Sequence, residues 1–138
     1  VTFDHEKLDV YKVSLQFVAW AYALAERLAG AYRHARDQLL RASQSIPLNI
    51  AFGNGRRFGP DRRPFFEIAR GSALECAAVI DVLVISKAVS VSEAESGKGL
   101  LVRIVSMLMK MVDAVVRENG EYEVGAKGEN EYENKGGV

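Results

Sequence analysis

A chain of 138 residues with 49% apolar and 26% charged side chains suits one globular domain and excludes disorder throughout. Its 18 Lys and Arg balance 18 Asp and Glu, so the chain as a whole lacks the high pI of many nucleic-acid-binding domains. The lone Cys76 excludes an internal disulfide, and no apolar run reaches the roughly 18 residues that span a bilayer. No basic segment followed by an apolar stretch and a cleavage site opens the chain, and the expected location is the cytoplasm. The charge is unevenly spread: residues 33–70 carry eight Arg against Asp37, Asp61 and Glu67, whereas residues 119–138 carry five Glu against two Lys. The middle is basic and the end acidic.

Leu8, Tyr11, Leu15, Val18, Tyr22 and Ala25 recur at three and four residues and predict a first helix from about Asp4 to Ala29, with Asp4 as N-cap and Gly30 as stop. Phe17, Leu24 and Leu28 add a second apolar strip, so two neighbours are expected. A second helix follows over about Arg33–Gly53, with Leu39, Ala42, Ser43, Ile46 and Ile50 inward and a kink at Pro47. Gly53, Gly55, Gly59, Pro60 and Pro64 break the pattern and carry Arg56, Arg57, Arg62 and Arg63, an exposed basic turn. The third helix starts at Asp61 or Pro64 and ends near Ala88. Phe66, Ala73, Ala77, Ile80 and Val84 form one seam, and Ile68, Cys76, Val79 and Leu83 another. Ser90–Gly99 reads as the next turn, with Ser92 and Glu95 as a capping box. Leu100 to Val115 gives a fourth helix ending near Arg117–Gly120. The expected architecture is all-α, an antiparallel up-down-up-down four-helix bundle over residues 1–118. Residues 119–138, rich in Gly, Glu and Asn, read as a disordered acidic tail.

Metal chemistry has little to stand on: His5 and His34 are the only histidines and neither belongs to the Glu-x-x-His pair of a di-iron bundle. Cys76, set among Ala77, Ala78 and Val79 with no nearby histidine, reads as an inert buried thiol. No cofactor is implied, and no base, nucleophile and orienting group can be named together, so a non-enzyme is expected. Gly53-Asn54-Gly55-Arg56-Arg57 lacks the preceding strand and the ending of a phosphate loop and reads as a helix stop. Gln38, Arg41, Ser45 and Asn49 recur on one face of the second helix, and Glu67, Arg70, Ser72 and Glu75 sit near Gly71, whose missing side chain would let another backbone approach. They are either exposed positions or a hydrogen-bonded layer that fixes register or a subunit contact. The four-arginine cluster is suited to phosphates, although no interleaved aromatic platform is read beside it.

Leu8-Asp9-Val10-Tyr11, Gln38-Leu39-Leu40-Arg41-Ala42, Ser45-Ile46-Pro47-Leu48-Asn49-Ile50-Ala51, Gly53-Asn54-Gly55-Arg56-Arg57 and Ala69-Arg70-Gly71-Ser72 together resemble the four-helix bundle family of proteins encoded in intervening sequences of bacterial 23S rRNA genes. That family also includes the accessory variability determinant of diversity-generating retroelements. The resemblance covers about residues 6–117. It implies a ring-like homopentamer without known catalysis and, in the retroelement branch, a basic pentamer that binds a reverse transcriptase and nucleic acid. Arg41, Asn49, Arg56 and Arg70 correspond to recurring polar positions of its motifs. Phe52 stands where the family usually has Glu, continuing the stripe of Gln38, Arg41, Ser45 and Asn49, so an Arg partner such as Arg70 or Arg41 is expected to lose its counter-ion.

The sequence therefore predicts a non-enzymatic, pentameric scaffold that meets RNA, DNA or a nucleic-acid enzyme through Arg56, Arg57, Arg62 and Arg63. The alternative is a structural protein–protein module whose arginines serve only subunit packing.

Overall fold

The computed structural model describes residues 1–127, with side chains through Glu118. After a 3-10 turn over Asp4–Lys7 come four helices: α1 (Asp9–Ala25), α2 (Arg33–Asn54), α3 (Gly59–Ile85) and α4 (Val91–Lys127). α1 packs on α2 and α4, and α3 packs on the same two. Because the links between successive helices are short, sequence neighbours must lie side by side and antiparallel. This is the expected up-down-up-down bundle.

The core runs the length of the bundle through Phe17, Leu39, Ile46, Ile50, Ile80, Leu83, Ile104 and Leu108, all fully buried. On α1 the inward strip is Val10, Val13, Phe17, Ala21 and Leu24, not the expected line through Leu15 and Tyr22, which remain 44% and 41% exposed. Both strips are apolar, and the one carrying the larger, better-filling Phe17 takes the inside. On α3, Phe66, Ala73 and Ile80 are buried together with Cys76, Val79 and Leu83, whereas Ile68 is half exposed.

Helix ends correct several expected boundaries. α1 stops at Ala25 rather than Ala29. Arg27 N–H donates to Leu24 O and Leu28 N–H to Ala25 O, tightening the last turn to 3-10 geometry and turning Leu28 into the core. Gly30 then adopts φ of 61°, the left-handed conformation that favours glycine. α2 runs helical through Pro47, which is buried there. α3 begins at Gly59, before either expected start, with Pro60 pre-set for the first turn. α4 begins at Val91, so the residues expected to form a turn over Ser90–Gly99 are its first turns. The capping box is Ser90 with Glu93, two residues earlier than expected: Glu93 N–H donates to Ser90 Oγ and Ser90 N–H to Glu93 Oε2, both at 3.1 Å. Buried Ala94 and Gly97 continue the inward line to Leu101, and a Cβ on Gly97 would lie 2.6 Å from the Trp20 ring. α4 also continues to Lys127, beyond the Arg117–Gly120 end expected. The remainder of the expected tail, residues 128–138, lies outside the described residues.

α3 closes with Ala88 N–H donating to Leu83 O and Lys87 N–H to Val84 O, the paired bonds of a Schellman cap. The residue that takes the left-handed position is Lys87, at φ of 64°, where a Cβ is strained. Lys87→Gly should therefore raise stability by about 0.5–1 kcal/mol, read as a higher urea midpoint with unchanged slope.

Candidate functional site

The four arginines collect where α2 hands over to α3. α2 can reach this point only because Gly53 has no side chain: a Cβ there would meet Phe66 Cε1 at 2.7 Å and Phe65 Cβ at 3.0 Å. Gly53 is thus a close crossing of α2 and α3 rather than the stop expected, and the helix runs one residue further. Arg56 and Arg57 occupy the turn, while Arg62 and Arg63 already belong to α3. Arg62 Nε donates to Arg56 O at 2.9 Å, which ties the two halves of the cluster together. The Arg56 guanidinium lies over the Phe65 ring, 4.7 Å from its centroid. Phe65 in turn meets Phe52 edge to face at 6.3 Å. Aromatic rings therefore do lie among the arginines, contrary to the expectation from sequence, because folding brings Phe52 of α2 and Phe65 of α3 to either side of the turn that holds Phe58. Asp61 is the one carboxylate within the stretch. Glu118 approaches Gly59, and Asn54 Nδ2 donates to Asp4 Oδ2 at 2.9 Å. Among the described residues, none of the four arginines forms an ion pair.

The polar stripe on α2 is brought against α3 in two places. Gln38 Nε2 donates to Glu75 Oε1 at 3.2 Å. Further along, Ser72 Oγ donates to Ser45 Oγ at 2.8 Å, and Asn49 Nδ2 donates to Ser45 O at 2.8 Å and to its Oγ at 3.0 Å. Arg41 is exposed on the same face. Arg70 stands apart: two residues before Ser72, it points about 200° away around the helix and its Nη1 donates to Glu67 Oε2 at 3.3 Å. Phe52 packs on Phe65, while the buried Arg70 Nε has no hydrogen-bond partner among the described residues. Gly71 has nothing within 4 Å of where a Cβ would stand, so no backbone of the described residues approaches it.

Elsewhere the chemistry is sparse. Burial pushes the Cys76 thiol up to about 12, with the charge of Glu75 adding to the effect. We expect Cys76 to resist a disulfide reagent at pH 8 in the folded chain and to react once urea unfolds it; rapid native reaction would contradict its burial. At the opposite end, Arg27 binds Glu93 through two hydrogen bonds of 2.7 and 2.5 Å. These bonds, then the Ser90 N–H, hold the Glu93 carboxyl down to about 2. No cluster of three or more His, Cys, Asp or Glu that could hold a metal occurs among the described residues. No helix among them is long and apolar enough to cross a membrane.

A sequence profile described as 23S rRNA-intervening sequence protein matches residues 6–110. The chain belongs to the 23S rRNA-intervening sequence protein family. A similar fold is found in the crystal structure of a protein of unknown function from the S23 ribosomal protein family of Bacteroides thetaiotaomicron. The TM-score is 0.70 at 22% identity, over 75% of this chain and 97% of that one. No curated protein matches the chain. In this member of the 23S rRNA-intervening sequence family, two of the five strings that carried the resemblance, Ser45–Ala51 and Ala69–Ser72, meet across α2 and α3. The Ser45–Ser72 hydrogen bond is their meeting point, so these strings mark how the two helices fit together.

Proposed function

We propose that this chain is a non-enzymatic, cytoplasmic scaffold that self-associates, as the pentamer the family resemblance implies, and engages nucleic acid through Arg56, Arg57, Arg62 and Arg63. The observation that carries the reading is the set of four arginines at one end of the bundle that form no ion pair among the described residues. Arg62 and Arg63 sit at the N-terminal end of α3, where the helix dipole is already positive and a cation is disfavoured by about 0.3–1 kcal/mol. A stability argument alone would put acids there. An approaching polyanion reverses the sign of that cost, and each phosphate neutralised also releases counterions. Repetition of the end by symmetry would concentrate a positive field on a chain of zero net charge.

The test is titration of a labelled RNA hairpin with the full chain at several salt concentrations. Affinity should fall steeply with salt and vary little with sequence. The R56Q/R57Q/R62Q/R63Q variant should keep its helicity and flatten the log–log salt slope by about 0.7–0.9 for every phosphate it no longer neutralises. Unchanged binding by that variant would remove the arginines from the account.

A second observation supports the structural-module alternative. Val102, Met109 and Val116 on α4, seven residues apart, are 65%, 48% and 42% exposed, and Leu74 of α3 beside them is 50% exposed. An apolar groove of about 300 Å³ lies between Leu74, Ala77, Leu101 and Val102. A seven-residue apolar line is the pattern by which helices of separate chains pack, and a second copy of this chain is the occupant it suits. Assembly through this face requires no nucleic acid, so the two readings separate at the arginine end.

A further inference from the structure

We propose that the arginine end is a stacking platform for an unpaired stretch of nucleic acid, with bases laid on Phe52 and Phe58 while the arginines hold the flanking phosphates. The inference rests on the nucleic-acid reading above and names the form of strand it takes.

Phe52 and Phe58 are 55% and 60% exposed, although each ring gains from leaving water. They flank Arg56 and Arg57 in sequence, and their surroundings are braced. Phe65 meets Phe52 edge to face, and the Arg56 guanidinium lies over the Phe65 ring. Arg56 is also anchored at its carbonyl by Arg62. Phe52, Phe65 and the Arg56 guanidinium therefore form a contiguous row beside the Gly53 crossing. A phenyl ring has no hydrogen-bonding group with which to read a base edge, but its face accepts any base that offers its own. Bases inside a duplex are stacked on each other and offer none, whereas unpaired bases do, so rings beside cations favour a single strand with little sequence preference. A shallow groove of about 510 Å³ runs along α2 from Phe52 past Asn49, Gln44 and Arg41. Leu48 and Leu40 line it beside the polar side chains, and Asp37 closes its far end.

The experiment titrates the full chain, at low salt, into oligonucleotides of about 12 nucleotides, each in RNA and DNA form. One is single-stranded and carries 2-aminopurine, one is the duplex of the same sequence, and one is a single strand with its central bases removed. We expect the single strand to bind about tenfold or more tighter than the duplex and the abasic strand, with 2-aminopurine emission changing on binding. The F52A/F58A variant should lose about tenfold or more in single-strand affinity and the emission change, while keeping wild-type helicity and salt slope. Equal binding of single strand, duplex and abasic strand, or an F52A/F58A variant that binds as the wild type does, overturns the stacking platform and leaves the phosphate reading intact. Absence of binding to every probe overturns both.

Discussion

Replacing Gly53 with valine should cost about 3 kcal/mol or more of folding stability. A β-branched side chain there must enter space held by the buried Phe66 ring, 2.7 Å from the nearest Cβ site, and by Phe65 Cβ at 3.0 Å. Phe66 is only 2% exposed and cannot swing into solvent without opening the core, so α2 and α3 must move apart. Because a domain of this kind is held by about 5–15 kcal/mol in total, the loss should appear as a large fall in the urea midpoint. Gly99→Ala is the control. It lies within α4 with nothing within 4 Å of its Cβ site, and should gain about 0.5–1 kcal/mol from helix propensity alone. If Gly53→Val is as stable as the parent chain, the close crossing beneath the arginine cluster is wrong.

The second large effect is on assembly. The L74E/V102E variant places two carboxylates on the half-exposed α3–α4 face, at residues 50% and 65% exposed, so the subunit fold should survive. Burying those charges against a second copy without partners is strongly unfavourable, and the variant should sediment as a 15.2 kDa monomer, whereas the proposed self-association predicts a larger particle for the parent chain. Retention of the parental size would move the subunit interface to another face, such as the α2–α3 side that exposes Leu48 and Ile68. RNA affinity should fall in the monomer as well, because the proposed ring would hold several arginine ends on one strand.

Helix number and order were legible because Leu, Ile and Val mark the inner line of α2, α3 and the later part of α4 at a period of 3.6. The start of α4 was not, since Ala94 and Gly97 occupy core positions there. Trp20 of α1 supplies the bulk that their small side chains leave out, and a hydrophobic pattern cannot register a partner's contribution. α1 misled for the opposite reason: two apolar strips compete, and only packing decides that Phe17 rather than Leu15 faces inward. At the candidate site the arginines could be read directly, whereas the aromatic setting could not. Phe52 and Phe65 are thirteen residues apart on different helices, and their proximity follows from the tight crossing at Gly53. The stripe of Gln38, Ser45 and Asn49 was visible as helical spacing. That Ser72 and Glu75 answer it from α3, and that Arg70 turns instead to Glu67, depended on the register between helices.

Sedimentation velocity of the full chain, alone and mixed with a structured RNA that has an unpaired loop, at low and high salt, tests the central claim most directly. The account predicts a particle of several copies, five by family resemblance, that carries RNA with it at low salt and releases it at high salt. A 15.2 kDa monomer, or an oligomer that leaves the RNA behind at low salt, would contradict it.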